Sequence, residues 1–279
     1  VGPQTLSTHH IPNTSRRAII YPYMKILTWN VWDTPFWIST KRHERMHRLG
    51  GFLKDLDPDI ICLQESFDTK HRDMIYEALG KDAYTTTDED DDLMRRALML
   101  ARMDMTGGLV IFSKFPIKSA TFTPFKNPIL SSIQERIGRK GYIAAEIETP
   151  NGPLLVVNTH LYSLRSIHAS AVRIYQLKQI FKATEERRKT MSAVLMGDLN
   201  ENALKNPVRF KEVLRDHGFI DSTELTGEKI EPSYRPENPL THTRFNNGDD
   251  PLRLDYVLFG NLPKLGLQAL SNDVVEQPE

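Results

Sequence analysis

The chain has 279 residues, of which 39% are hydrophobic and 26% are charged. This composition supports a folded core and excludes an intrinsically disordered chain. Lysine plus arginine and aspartate plus glutamate number 36 each, so no overall basic field favours a dedicated nucleic-acid binder. The single cysteine, Cys62, cannot form an internal disulfide and is expected in the core.

The sequence leaves the compartment of the protein open. No stretch approaches the roughly 20 apolar residues that a membrane-spanning helix needs. Val1 rather than Met opens the sequence, which indicates that residues were removed or left out, and no leader is visible. Soluble, secreted and peripheral membrane locations are all compatible with these observations.

The first half of the chain alternates predicted strands and helices after a polar lead-in. Residues 1–23 are rich in turn formers and carry no periodicity, so we interpret them as an extended arm. Periodicity and turn residues then predict a strand at 24–32, a helix at 41–56, a buried strand at 58–65 and a helix at 72–80 that ends at Gly80.

A run of five acidic residues at 88–92 has two interpretations. It could be a metal site, but acids at the start of a helix from about Leu93 to Arg102 would complement the helix dipole, and we favour this second interpretation.

The second half mixes hairpins with two further helices. Residues 106–117 predict turn, strand and turn, and 141–161 predict a hairpin around the turn at 150–153. Further along, the patterns predict a helix at 170–188, a strand at 192–200, a helix at 207–221 that ends at Gly218, and a strand at 253–259. Together these elements favour a single α+β domain over residues 24–279.

Polar side chains recur where the apolar strands stop. An unpaired acid at the edge of an apolar strand would be costly, so several strands that share this pattern are expected to meet at one rim. Acids and amides without cysteine ligands suit a hard cation such as Mg²⁺. The period of two along a strand would also place Asp198 and Asn200 on one face. The residues concerned are Asn30, Glu65, Asn158, His160, Asp198, Asn200 and Asp255.

Five short motifs in this order give the sequence a family resemblance. "TWN", "LQE", "NTHL", "GDLN" and "RLDYVL" resemble the endonuclease/exonuclease/phosphatase superfamily, metal-dependent phosphodiesterases related to pancreatic deoxyribonuclease. Within it, "RHERMHRLGGFL", "GGLVIFSKFPI", "VRIYQLKQI" and "RKG" are similar to neutral sphingomyelinases. Inositol polyphosphate phosphatases and abasic-site endonucleases match less well. The resemblance implies a four-layer α/β/β/α sandwich of two mixed sheets packed face to face, with flanking helices.

The resemblance also implies roles for individual residues in phosphodiester hydrolysis by in-line attack of water. Glu65 would be the main Mg²⁺ ligand, assisted by Asn30, which could instead contact the phosphate. His160 would donate a hydrogen bond to a phosphoryl oxygen, and Asp198 and Asn200 would orient water and phosphate. Asp255 would fix the tautomer of a histidine base, unless it only pairs with Arg253. Lys140 would neutralise phosphate, although a solvated lysine is an equal alternative.

One motif of the family is not found. The family carries a "Ser-Asp-His" near its last strand, and its histidine is the usual general base, but no histidine follows Asp255 here. Either the sequence stops before that strand, which we favour, or the base has been lost. His242 could substitute, although a surface loop histidine is the simpler interpretation.

The resemblance implies a phospholipid or another phosphodiester as substrate, with nucleic acid disfavoured. Peripheral membrane contact could involve Trp32, Phe36 and Trp37 within 32–40, or the turn-rich stretch 122–130, although these side chains could equally pack in the core. Three hypotheses follow: a sphingomyelinase-like phospholipase C, a Mg²⁺-dependent nuclease, and an inactive binding domain that keeps the fold.

Overall fold

The computed structural model describes most of the chain from residue 23 onwards. The described residues are 23–34, 39–87, 106–126, 140–165, 167–202, 204, 207–238, 242–243, 246–247 and 250–261. The N-terminal arm up to residue 22, the acidic run, the helix predicted at 93–102 and residues 262–279 lie outside this set. The predictions made for those segments therefore stay predictions.

Twelve strands and five helices are assigned within the described residues. In chain order the strands are β1 (Ile26–Asn30), β2 (Ile60–Gln64), β3 (Thr85–Thr86), β4 (Val110–Ser113), β5 (Ile117–Pro124), β6 (Gly141–Thr149), β7 (Gly152–His160), β8 (Ser192–Asp198), β9 (Phe219–Asp221), β10 (His242–Thr243), β11 (Asn246–Asn247) and β12 (Asp255–Gly260). The helices are α1 (Arg42–Leu56), α2 (Thr69–Leu79), α3 (Ala169–Arg188), α4 (Pro207–Asp216) and α5 (Ser222–Thr226).

The two main sheets are both mixed. One has the order β1-β2-β4-β3, with β1 parallel to β2, and the other has the order β5-β6-β7-β8-β12-β9, with β7 parallel to β8. Strands β10 and β11 form a separate antiparallel pair. The parallel pairs matter for the site because their carboxyl ends lie at the same edge of each sheet.

Three apolar clusters define four layers. The central cluster joins the sheets, because it contains Cys62 and Ile111 from the smaller sheet and Ile143, Val156 and Met196 from the larger one. The outer face of the smaller sheet packs on α1 and α2, and that of the larger sheet packs on α3 and α4. The predicted α/β/β/α sandwich is therefore confirmed.

Local signals explain where the helices run. In α1 the buried residues Met46, Leu49 and Leu53 recur at helical spacing. Helix α2 begins after Asp68, whose side chain caps the backbone N–H of Lys70, and it ends at Gly80 with φ 93°. No helix in the described part of the chain is both long and apolar enough to cross a bilayer.

Strand β5 differs from the sequence interpretation of its region. The sequence pattern predicts no strand at 117–121 and a turn-rich stretch at 122–130, whose aromatic side chains either face a membrane or pack in the core. The chain instead runs as an edge strand to Pro124, where a missing N–H costs no ladder bond. Phe122 packs against the central cluster and Phe125 is buried against the α3 layer. These two aromatic side chains therefore contribute to the core.

Candidate active site

Three strands of the larger sheet bring polar residues side by side at one edge. In the parallel pair β7–β8, His160 lies opposite Asp198, and in the antiparallel pair β8–β12, Asp255 lies opposite Asp198 from the other side. Register alone therefore places one imidazole and two carboxyl groups on adjacent strands. We call this end of the two sheets the site edge.

The smaller sheet contributes Asn30 and Glu65 to the same place. Asn30 ends β1 and Glu65 follows β2. The Asn30 side-chain nitrogen donates to Glu65 Oε1 at 2.9 Å and to Asp198 Oδ2 at 3.0 Å, so this amide joins carboxylates from different sheets. His160 Nε2 lies 3.9 Å from Glu65 Oε1 and 3.7 Å from Asp198 Oδ2. The predicted convergence of these four residues is present.

Lys140, which directly precedes β6, brings a buried cation to the group. Its ammonium lies 3.1 Å from His160 Nε2 and donates to the backbone oxygen of Leu161 at 2.6 Å. The alternative of a solvated surface lysine is wrong, because the residue is 9% exposed. A positive charge in this position can serve a phosphate group.

Three residues around the site edge have left-handed backbone conformations. Trp32, Glu65 and Asn200 have φ of 46°, 53° and 52°. Such conformations cost about 1–2 kcal/mol for residues other than glycine and concentrate at functional sites. Each of them follows the end of a strand, so the chain turns sharply where the polar side chains are presented.

Asn200 reaches the site differently from the strand pattern. Strand β8 ends at Asp198, and the left-handed turn, rather than the period of two along a strand, places the amide. Its side-chain nitrogen donates to the oxygen of Leu161 at 3.2 Å, and its backbone N–H donates to Asp198 Oδ1 at 2.9 Å. Asn200 therefore braces the carboxylate of Asp198 and the end of β7.

Two acids at the site edge have raised pKa values, chiefly because they are buried. Burial raises the pKa of Asp198 to about 6, although hydrogen bonds from Asn30 and the nearby Lys140 act to lower it. Burial and the charge of Asp198 raise the pKa of Asp255 to about 8. One oxygen of Asp255, Oδ1, is buried and has no hydrogen-bond partner in the described part of the chain.

His160 is a neutral imidazole in this arrangement. Burial and the adjacent Lys140 ammonium hold its pKa well below the usual value, so its contacts with Glu65 and Asp198 are not ion pairs. Since the Lys140 ammonium can only donate, Nε2 accepts from it and the proton lies on Nδ1. Nδ1 is buried and makes no hydrogen bond within the described ranges.

The residues present fit a hard divalent cation. Glu65, Asp198 and Asp255 converge with Lys140 as a nearby cation, and the raised pKa values of Asp198 and Asp255 are what a cation would reverse. The described residues contain no cluster of three His, Cys, Asp or Glu spaced to hold a metal by themselves. Mg²⁺ needs no such cluster, because it keeps several waters and takes one or two carboxylates. The Asn30 side-chain oxygen is engaged with the backbone N–H of Trp32, so its nitrogen faces the carboxylates.

A supporting shell behind Glu65 was not found by sequence reasoning. The Thr34 hydroxyl donates to Glu65 Oε2 at 2.7 Å. The backbone N–H of Asp33 donates to the backbone oxygen of Glu65 at 3.0 Å. The Asp33 carboxylate is fully buried and accepts from Arg42 at 2.7 Å and from His71 at 2.9 Å. The sequence signal for this shell is Asp33, an acid three residues after Asn30. Its role cannot be inferred from the sequence, because its contacts depend on the turns that follow β1 and β2.

Other candidates take different places. Asn158 is fully buried and bonds Gln64 and the backbone between the sheets, so it is part of the frame of the fold. Arg253 forms a two-bond ion pair with Asp221 at 2.7 Å, which removes the simple Arg253–Asp255 pair as an explanation of Asp255. His242 opens β10, and its side chain lies outside the described structure, as do Phe36 and Trp37.

Comparison with known proteins supports the family assignment. The model described as the Endonuclease/Exonuclease/phosphatase family matches residues 27–273. The chain is 25% identical over 220 residues to an inositol phosphosphingolipids phospholipase C of Schizosaccharomyces pombe, covering 74% of this chain and 47% of that protein. It is 26% identical over 191 residues to a sphingomyelinase C of Leptospira interrogans, covering 63% of this chain and 34% of that protein. It therefore spans less than half the length of either relative.

Solved structures share the fold. A beta-hairpin deletion mutant of Staphylococcus aureus beta toxin has a TM-score of 0.68 at 20% identity, covering 92% of this chain and 93% of that one. Sphingomyelinase C of Streptomyces griseocarneus has a TM-score of 0.67 at 21% identity, covering 86% and 84%. A beta toxin variant with bound magnesium ions has a TM-score of 0.63 at 21% identity, covering 85% and 84%. The motif-based resemblance is thus confirmed, and the chain belongs to the endonuclease/exonuclease/phosphatase family.

Proposed function

We propose that this protein is a Mg²⁺-dependent phosphodiesterase of the phospholipase C type, acting on a sphingolipid phosphodiester. The observation that carries the proposal is the meeting of Asn30, Glu65, His160, Asp198 and Asp255 at one edge of two sheets. The family membership and the names of the two relatives support the reaction class and the lipid substrate.

The ion would be held by Glu65, with water completing its coordination, and would neutralise charge on the phosphoryl and leaving oxygens. Lys140 would add a second positive charge against the phosphate. With Lys140 turned to the phosphate, His160 Nε2 would be free to accept a hydrogen bond from water, or to take up a proton and donate to a phosphoryl oxygen. Asn30 would keep Glu65 and Asp198 in place through the hydrogen bonds that its side-chain nitrogen donates to both carboxylates.

Asp198 and Asp255 would handle the attacking water. Asp198 is fixed by Asn30 and by the backbone of Asn200, so its free lone pairs keep one direction. Asp255 presents a buried oxygen without a partner in the described structure, which suits the N–H of a histidine base. No histidine follows Asp255 in this sequence, so His242, whose side chain lies outside the described structure, is the candidate for that base that the sequence analysis names.

The test is hydrolysis by the natural full-length protein with and without Mg²⁺. Vesicles of sphingomyelin and of an inositol phosphosphingolipid are the lipid substrates, and plasmid DNA is the alternative substrate. We expect Mg²⁺-dependent release of the phosphorylated head group, abolished by EDTA. Glu65→Gln should lose at least about a hundredfold in rate, whereas the exposed Glu148→Gln, whose side chain pairs with Lys118, should keep it.

The alternatives give different results in the same assay. Nicked plasmid without head-group release would move the assignment to a nuclease. No turnover of either substrate would favour an inactive binding domain and would overturn the proposed activity.

A further inference from the structure

The loop after His160 lies beside the site edge. It follows Leu161, whose backbone oxygen accepts from both Lys140 and Asn200. It ends at α3, and we call residues 162–168 the rim loop, of which all except 166 are described. The loop therefore starts directly after a residue that is hydrogen-bonded to Lys140, which we propose to face the phosphate.

Hydrogen bonds to α3 hold the backbone of the rim loop. Arg173 donates through Nε to the oxygen of Tyr162 at 2.8 Å and through Nη2 to the oxygen of Leu164 at 3.1 Å. Gln176 accepts from the N–H of Tyr162 at 2.9 Å. Arg173 also pairs at 3.1 Å with Glu201, directly after Asn200, so the loop is tied to both strand ends of the site.

This fixed loop presents apolar side chains to solvent. Ile167 is 91% exposed, more than any other large hydrophobic side chain among the described residues, and Leu164 is 37% exposed. Single exposed hydrophobic residues are common on soluble proteins and need no explanation. Two on a short loop that is fastened beside a candidate lipid-cleaving site have a common explanation, which is contact with a lipid surface.

We propose that Leu164 and Ile167 of the rim loop insert into the headgroup layer of a phospholipid bilayer and set the site edge against it. The inference rests on the proposed function, because the scissile bond of a membrane phospholipid lies at headgroup level and the site must approach that level. It differs from the contact suggested by the sequence at 122–130, since Phe122 and Phe125 contribute to the core. The partner that covers Leu164 and Ile167 is therefore the lipid surface itself.

Vesicle sedimentation tests the inference independently of catalysis. Phosphatidylcholine vesicles and EDTA remove the need for a bound ion or turnover. The double variant Leu164→Ser/Ile167→Ser should bind about tenfold more weakly, since about 1.4 kcal/mol of apolar burial is lost. Val208→Ser/Leu225→Ser, at positions 65% and 37% exposed on α4 and α5, is the matched control and should bind like the wild type.

Several outcomes would overturn the inference. These are equal binding by the rim-loop variant and the wild type, equal weakening in the control, and a wild type that does not sediment with vesicles. Sedimentation velocity without lipid tests whether the rim loop instead contacts a second copy of the chain. A wild-type dimer that becomes a monomer on the rim-loop substitutions would show such a contact and would overturn the inference. A protein that binds vesicles through the rim loop but hydrolyses nothing would sink the proposed function alone.

Discussion

Glu65 receives hydrogen bonds on both carboxylate oxygens, from Asn30 on Oε1 and from Thr34 on Oε2. Its side chain projects from a left-handed turn, a conformation that leaves the carboxylate dependent on such neighbours for its direction. Groups behind a metal ligand typically change affinity when removed, because they orient the ligand before the ion arrives. A substitution of Thr34 therefore tests the metal site as directly as a substitution of Glu65 does.

Replacing Thr34 by valine should weaken Mg²⁺ binding about 10–100-fold, because the shape is kept and the hydroxyl bond to Glu65 is lost. Isothermal titration calorimetry with Mg²⁺ measures this directly. Thr34→Ser keeps the hydroxyl and should bind within a few-fold of the wild type. Unchanged affinity in the valine variant would mean that Thr34 does not orient Glu65.

Asp255 gives a pH dependence to the stability of the metal-free protein. Its pKa is about 8 in the fold against 3.8 ordinarily, so between these values the folded state binds the proton more tightly than the unfolded chain does. The free energy of unfolding should therefore fall as pH rises from about 4 to about 8. Asp198 adds to the fall between 3.8 and about 6.

The variant Asp255→Asn cannot ionise and should show a shallower fall, being stabilised relative to wild type more at pH 8 than at pH 5. Urea denaturation in EDTA at a series of pH values provides the measurement, with the exposed Asp82→Asn as the matched control. Parallel curves for Asp255→Asn and the wild type would refute the raised pKa.

Strands β7 and β8 approach closely where the site begins, and Gly197 makes the approach possible. Gly197 has φ 146°, and a Cβ there would lie 1.9 Å from the backbone oxygen of Thr159. The neighbouring residues in the same ladder are His160 and Asp198. The spacing of the two strands thus sets the spacing of these two side chains.

Gly197→Ala should destabilise the fold by roughly 2–4 kcal/mol, because the backbone must shift and no flexible side chain can yield. Gly51→Ala in α1 is the matched control, since nothing lies within 4 Å of its Cβ position. That control should be neutral or slightly stabilising in a helix. Chemical denaturation compares the two, and equal stabilities would contradict the close approach.

Strand ends were predictable from sequence to the extent that polarity changes along the chain. Glu65, His160 and Asp198 stand where apolar runs stop and Asp255 where one begins, and strand register brings the last three together. The strand period predicts that Asn200 lies on the same face as Asp198, but β8 ends at Asp198 and a turn places Asn200 instead. The sequence does not predict β5, because Pro124 and its neighbours favour turns. The contacts of Thr34 depend on the left-handed turns at Trp32 and Glu65, which no local pattern signalled.

At the scale of the whole molecule, the site requires two sheets to keep one relative position. Asn158 of the larger sheet donates to the oxygens of Leu63 and Val110 at 2.9 Å and accepts from Gln64 at 2.8 Å, all in the smaller sheet. These three hydrogen bonds link the two sheets directly and therefore favour one relative position of the sheets. Asn30 then closes the same gap at the site edge.

Asn158→Leu keeps the approximate volume but removes the side-chain hydrogen bonds to the oxygens of Leu63 and Val110 and the bond from Gln64. We expect the free energy of unfolding to fall by roughly 2–4 kcal/mol. Mg²⁺ affinity should fall as well, because Glu65 and Asp198 are carried by different sheets. Denaturation and calorimetry on one sample test both, and a loss of stability with unchanged affinity would show that the sheets position the site without this link.

The most direct test of the central claim is an anomalous diffraction map of crystals soaked in Mn²⁺, a Mg²⁺ substitute with a measurable signal. We expect one strong peak within coordination distance of the Glu65 carboxylate, between the ends of β2 and β8, and no such peak in Glu65→Gln crystals. A wild-type map without density at Glu65, or with the ion bound only elsewhere on the protein, would contradict it.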